Sequence, residues 1–196
     1  MSTQARRERQ RAERHQQIID TAREIAETQG WELVTVRRLA DAIEYSQPVL
    51  YSHFHGRDAI VAAVAEQGFV ELTELMRRLR AAARTPEEAL VAVARGFLEF
   101  ARTNPALYEA MFVQKVDLKF GDGAPEVLVE GFAELMAVFA PFAGDHDPET
   151  FTEVAMSALH GLAHLDHHAR LRPDFRRQRL NILVEQWTRG RAVEHA

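Results

Sequence analysis

Cysteine is absent from the 196 residues, which excludes a disulfide framework, thiolate metal sites and a cysteine nucleophile at one stroke. Long apolar runs are missing too: nothing approaches the roughly 18 residues needed to cross a bilayer. The opening segment, MSTQARRERQRAERHQQ, has the positive start of an export signal but lacks its apolar core, so a cytoplasmic location is expected and no membrane partner. There is no glycine-rich phosphate loop, no nucleophile elbow and no carboxylate pair spaced for acid–base work. Carboxylates such as Asp117 and Asp122 are explained by solvation of a loop. The chain is therefore read as no enzyme, with no catalytic residues and no cofactor. Alternating apolar residues, internal repeats and low-complexity linkers are absent as well, which leaves an all-α architecture.

What is present begins with an uneven distribution of charge. The net charge is −5, which on its own argues against a polyanionic partner. Residues 1–16, however, carry Arg6, Arg7, Arg9, Arg11 and Arg14 against Glu8 and Glu13, a balance of +3. Residues 1–60 hold nine Arg and nine Asp or Glu, so the remaining 136 residues carry the whole −5. A basic arm on a neutral first segment with an acidic remainder suits a two-part molecule that approaches nucleic acid through one end. A solvated, Arg/Glu-rich helix explains the same composition.

Helix punctuation is legible. Thr85-Pro86, Asn104-Pro105 and Asp147-Pro148 each place a capping side chain before proline, which has no N–H to leave unsatisfied. Pro125 and Pro173 are taken to open helices, and Gly30 to stop the first. With the 3.6-residue apolar period, this predicts nine helices over about 4–29, 36–43, 47–53, 57–82, 86–103, 105–113, 125–140, 148–170 and 174–190. Gln114–Ala124 is expected to be the longest loop and the mobile one. The fourth helix joins the two parts with no flexible linker.

The most informative stretch is VTVRRLADAIEYSQPVLYSHFHGRDAI. Thr35 caps a short helix whose buried stripe is Val36, Leu39, Ala40 and Ile43. After a short turn Ser46 caps a second, Gln47 to His53, with Val49, Leu50 and Phe54 available to the core. Two short helices and a tight turn on a longer first helix form a tri-helical helix-turn-helix. The second helix, roughly 10 Å long, suits a major groove about 12 Å wide. The region Ile18–Val64 resembles the DNA-binding domain of the TetR family, and the remainder has the length and helix content of that family's regulatory domain. The LHGL at Leu159–Leu162 resembles a His-Gly motif of one C-terminal subgroup. Two positions differ from the common pattern: Glu44 stands where the turn favours glycine, followed by Tyr45, and Pro48 replaces a small residue.

The resemblance implies an N-terminal helix-turn-helix domain over 1–56 and a helical-bundle ligand-binding and dimerisation domain over 57–196. It also implies a homodimer on palindromic double-stranded DNA, acting as a repressor and released by a small-molecule effector. Thr35 and Arg37 are expected on phosphate. Gln47 and Ser52 are expected on base edges, Pro48 and Val49 on thymine methyls. Ser46 opens the reading helix, Tyr51 and His53 reach phosphate, and by resemblance so does Arg57. The arm before Gln16 follows phosphates or the minor groove. Tyr51 and His53 have a plainer role open to them, closing the small domain; so has Arg38, on a solvated face.

In the second half, Phe151, Val154, Ala155, Ala158, Leu159 and Leu162, with Leu180, Leu183, Val184 and Trp187, either form a four-helix dimer bundle or pack within the subunit. Phe97, Phe100, Tyr108, Met111, Phe112, Phe132 and Met136 are ordinary core or line a ligand cavity, with His160 and His164 as its polar groups. His160, His164 and His168 at i, i+4, i+8, with Asp166 and His167 nearby, also fit zinc chelation, but no third ligand is forced, and no metal is assigned. The competing function is a helical dimeric binding module, sensing a small molecule or metal without sequence-specific DNA binding.

Overall fold

Helix boundaries in the computed structural model fall largely where caps and prolines put them. The structure describes residues 3–115, 119, 121 and 123–189, and among these it is all-α. The helices are α1 (Thr3–Gln29), α2 (Val36–Ala42), α3 (Gln47–Tyr51), α4 (Arg57–Ala82), α5 (Pro86–Thr103), α6 (Pro105–Phe112), α7 (Glu126–Phe139), α8 (Pro148–His167) and α9 (Arg176–Thr188). Short 3-10 turns occupy Trp31–Leu33, Ala140–Phe142 and Pro173–Phe175. Residues 116–118, 120 and 122 of the expected long loop, Asp117 and Asp122 among them, lie outside the described residues.

The ends that differ from expectation have local causes. α8 stops at His167 because Ala169 turns into the left-handed region at φ 52°, and the Arg170 N–H closes back on the Leu165 carbonyl at 2.9 Å. Pro173 opens a 3-10 turn, and α9 begins only after it. Two of the three cap-and-proline signatures act as read. Thr85 Oγ1 accepts the Glu88 N–H at 3.1 Å, and Asp147 accepts the Thr150 N–H at 2.9 Å. Asn104 does not cap α6; its Oδ1 accepts from Arg23 at 3.1 Å. The cap comes from α1, where the Glu27 carboxylate accepts the N–H groups of Ala106 and Leu107, each at 3.1 Å. A carboxylate there also meets the positive end of the helix dipole.

Contacts divide the chain into two compact units: Met1–Gly68 with Asn104–Gly123, and Phe69–Thr103 with Ala124–Ala196. This differs from a division at residue 56/57, because α6 joins the first unit and α4 contributes to both. In the first unit the inner face of α1 (Ile18, Ala22, Ile25, Ala26) is buried with Leu39, Leu50, Phe54, Ile60 and Val64. The Trp31 indole donates to the Ala106 carbonyl at 2.8 Å. Gly68 brings α4 close to α6: a Cβ there would sit 2.5 Å from Met111 Sδ, so only glycine permits this approach without a shift of Met111.

The second unit buries Leu90, Val93 and Phe97 of α5 with Leu135 and Phe139 of α7, Ala155 and Leu159 of α8, and Leu180 and Trp187 of α9. Phe139 meets Trp187 edge-on, ring centroids 5.1 Å apart. A buried carboxylate, Glu134, is satisfied by Arg77 at 3.0 Å and Arg80 at 2.9 Å, which ties the second-unit part of α4 to α7.

Because Glu27 supplies the missing cap of α6, Glu27→Ala is expected to cost about 1–2 kcal/mol. Thermal unfolding should show it as a drop in Tm of roughly 2–8 °C, while Asn104→Ala should lose less than half of that.

Candidate nucleic-acid interface

Residues 35–57 place a set of polar side chains at the surface from two helices too short to be stable alone. Thr35 caps α2, its Oγ1 accepting the Arg38 N–H at 3.2 Å; its own hydroxyl proton remains for an acceptor outside. Arg37 projects into solvent, with Asp41 at 4.0 Å and side-chain exposures of 83% and 76%. A pair that exposed holds the guanidinium only weakly. Arg38 instead bonds the Gln29 side chain, which favours the plainer reading of that residue.

The turn is made as its sequence predicts, at a cost. Glu44 takes φ 57°, worth about 1 kcal/mol against glycine, and the Tyr45 N–H returns to the Ala40 carbonyl at 3.0 Å. Ser46 stands at the N-terminus of α3, but its side chain makes no capping bond, contrary to expectation. Its carbonyl accepts from Val49 at 3.0 Å instead. α3 ends at Tyr51 and not at 53, although Ser52 keeps helical backbone angles.

Leu50 and Phe54 are buried, and Val49 and Val36 only half-buried. That orientation leaves Ser46, Gln47, Pro48, Tyr51 and Ser52 exposed on α3, with Thr35 and Arg37 exposed on α2. Tyr51 is 54% exposed, more than a residue closing the small domain needs. Ser52 donates its hydroxyl proton to the Val49 carbonyl at 2.6 Å, leaving its oxygen as an acceptor. His53 is half-buried, its ring 6.1 Å from that of His15, which stacks on Phe54 at 4.3 Å. Burial first, then the charges of His15, Arg11 and Arg14, hold the His53 imidazole below the usual histidine value.

Arg57 is spoken for. Its Nε donates to the Val34 carbonyl and one Nη to the Trp31 carbonyl, both at 3.0 Å, and the other Nη lies 3.5 Å from Asp58. The side chain pins the start of α4 to the connection between α1 and α2. The sequence gives no signal of this, since acceptors 23 and 26 residues away are backbone carbonyls.

Comparison with known proteins places this geometry. Residues 18–64 match the family model described as bacterial regulatory proteins, tetR family, and residues 90–185 that of the tetracyclin repressor-like C-terminal domain. The chain belongs to the TetR family. It is similar to the uncharacterized HTH-type transcriptional regulator YobS of Bacillus subtilis, 32% identical over 51% of this chain and 52% of that protein. It is also similar to the HTH-type transcriptional repressor AcnR of Corynebacterium glutamicum, 30% identical over 50% and 46% respectively. The chain thus spans about half the length of these curated relatives. A solved structure of a protein of unknown function from Rhodococcus superposes with a TM-score of 0.70 at 25% identity, over 90% of this chain and 94% of that one.

The residues expected to line a TetR-type effector cavity are divided between the units. Phe97, Phe100, Phe132, Met136, His160 and His164 lie in the second; Tyr108, Met111 and Phe112 lie in the first. Phe97, Phe100, Tyr108 and Met111 are buried, the others half-buried. Tyr108 packs against Phe112 at 4.7 Å, and burial pushes its phenol up. Along α8 the rings of His160, His164 and His168 form a row, with centroids 6.1 and 4.4 Å apart. The His168 ring engages the His164 carbonyl at 2.9 Å, and Asp166 is held by Arg176 at 2.6 Å. Among the described residues no three such side chains are placed to hold a metal ion, and no helix is long and apolar enough to cross a membrane.

Arg57 offers a test that separates positioning from phosphate contact. Arg57→Ala should cost about 1–3 kcal/mol, because two buried carbonyls lose a charged donor. The salt dependence of duplex binding should stay at the wild-type slope, whereas a phosphate contact would lower that slope by about 0.9 per bound protomer. Chemical denaturation and anisotropy titrations read the two effects separately.

Proposed function

We propose that this TetR-family protein is a DNA-binding transcriptional repressor that grips a palindromic operator as a homodimer and releases it when a small hydrophobic effector binds. The observation that carries the reading is the exposed row on α3, Gln47, Pro48, Tyr51 and Ser52, beside Thr35 and Arg37 on α2. Glutamine can pair an adenine edge through two hydrogen bonds, and the proline ring can meet a thymine methyl. The threonine hydroxyl and Arg37 supply contacts to phosphate that fix register. Repression is supported by the similarity to AcnR, a transcriptional repressor, and such a protein would work in the cytoplasm, where the DNA is.

Dimerisation is supported by what α8 leaves uncovered. Ala155, Leu159, Leu180 and Trp187, four of the expected dimer positions, are buried within the subunit. Val154 is 61% and Leu165 42% exposed, and with half-buried Ala158, Gly161 and Leu162 they recur at i, i+4, i+7, i+8 and i+11. A Cβ on Gly161 would meet nothing within 4 Å. A mid-helix glycine costs about 1 kcal/mol relative to alanine, so close approach of a second α8 gives it a reason. Two reading heads on a two-fold axis would then match half-sites about one helical turn apart. α4, which contributes to both units, is the element through which effector binding would act, and an effector needs about 10⁴-fold preference for the released state to reverse a 99:1 population.

The primary experiment is selection of bound sequences from random duplex DNA with the full chain. Enrichment of an inverted repeat is expected; no enrichment by a folded, dimeric sample would overturn the reading. On the selected site, Arg37→Ala should weaken all sequences alike and flatten the salt dependence, while Gln47→Ala should mainly change preference at one base position. Val154→Glu with Leu165→Glu, both at exposed positions, should give a folded monomer by light scattering and reduce operator binding at least tenfold.

A further inference from the structure

The N-terminal half of α1 continues the helix beyond the core, and its arginines are sorted by face. At 3.6 residues per turn, Arg7, Arg11 and Arg14 fall within about 40° of the direction of Ile18. Ile18 is fully buried. The side of α1 that packs the core over residues 18–26 therefore continues, past the edge of the core, as arginine. Arg6, Arg9 and Glu13 point away from it, by more than about 100°. Glu8, on the flank, accepts from Gln4 at 3.3 Å. Arg7, Arg11 and Arg14 are all exposed.

Three contacts fix where this face looks. The Arg14 guanidinium lies 5.7 Å from the centre of the Tyr45 ring, in the turn before α3. His15 stacks on Phe54 just after α3, and its ring lies 6.1 Å from that of His53. The basic face thus runs out from the flank of α3, and Arg7 lies about 16 Å beyond Ile18 along the helix at 1.5 Å per residue. A core partner would demand apolar residues on this side; a row of exposed guanidiniums suits a row of anions.

We propose that the Arg7–Arg11–Arg14 face of α1 is a second, sequence-independent phosphate-binding surface, which holds the duplex backbone beside the groove entered by α3. It rests on the DNA-binding reading above and adds a separate site to it. Phosphates spaced along a duplex strand suit side chains repeated at each helical turn, and arginine takes phosphate in a forked geometry.

The test compares two full-length variants of equal charge, Arg7→Ala/Arg11→Ala and Arg6→Ala/Arg9→Ala. Alanine is the strongest helix former, so both keep α1 helical, which circular dichroism verifies. Anisotropy titrations use the selected duplex and an unrelated duplex of the same length, across roughly 50–200 mM salt. The Arg7/Arg11 variant is expected to lower the slope of log affinity against log salt by about 1.8 per protomer on both duplexes. Over a fourfold rise in salt, it then loses about 12-fold less affinity than the wild type for each bound protomer, or roughly 150-fold less for the dimer. The Arg6/Arg9 variant should keep the wild-type slope. Equal slopes for the wild type and the Arg7/Arg11 variant overturn the inference, and so do equal losses in both variants, since net charge would then be responsible. Either result with sequence selection intact leaves the reading of α3 standing, whereas lost selection in the wild type sinks that reading instead.

Discussion

Burial of one apolar stripe, Ile18, Ala22, Ile25 and Ala26 on α1, is the constraint on which the first unit depends. α2 and α3 are seven and five residues long, well below the length at which a helix holds itself in water. They exist because Leu39, Ile43 and Leu50 are buried in the same small core as that stripe. The same helix organises its polar neighbours: Glu27 closes α6 and Arg23 takes Asn104. Arg57 then locks the segment that follows α1 to the start of α4. The exposed row on α3 is held in place from behind, while its own side chains stay solvated and available.

The strain at Glu44 fits this arrangement. A residue in the left-handed region persists only where its surroundings over-determine it. Here the Tyr45 N–H is fixed on Ala40 and the Tyr45 ring lies under Arg14, so the residue that follows Glu44 is held by both its backbone and its side chain. Local backbone preference loses to tertiary packing, and the helix-turn-helix forms without its customary glycine.

Much of this was legible in the sequence, and the misses share a cause. Thr35, Thr85 and Asp147 were readable as caps because a cap bonds within three residues of itself. Asn104 looked identical, yet its cap comes from Glu27, 79 and 80 residues from the N–H groups it accepts. Arg57 was readable as a cation at a helix start, but its acceptors are carbonyls of another segment. The buried Glu134, held by Arg77 and Arg80, was invisible for the same reason. On α8 the apolar period marked Val154, Ala155, Ala158 and Leu159 alike, since periodicity shows that a helix has an apolar side and cannot show how wide the subunit's own core is. Only packing separates Ala155 and Leu159, which are buried, from Val154, which is not.

The charge pattern carries the same lesson to function. A net charge of −5 is a poor guide to nucleic-acid affinity, because exposed charges farther apart than about 10 Å are largely screened at 0.1 M salt. What counts is the charge within a few ångströms of each phosphate. Sorting α1 by helical face turns an apparently mixed terminus of five arginines and two glutamates into one purely basic side, next to α3, and one mixed side turned away. Composition averages over both sides and sees neither. A contact surface of this kind is specified by the phase of the helix, and the phase is set by Ile18, the first residue that the core captures.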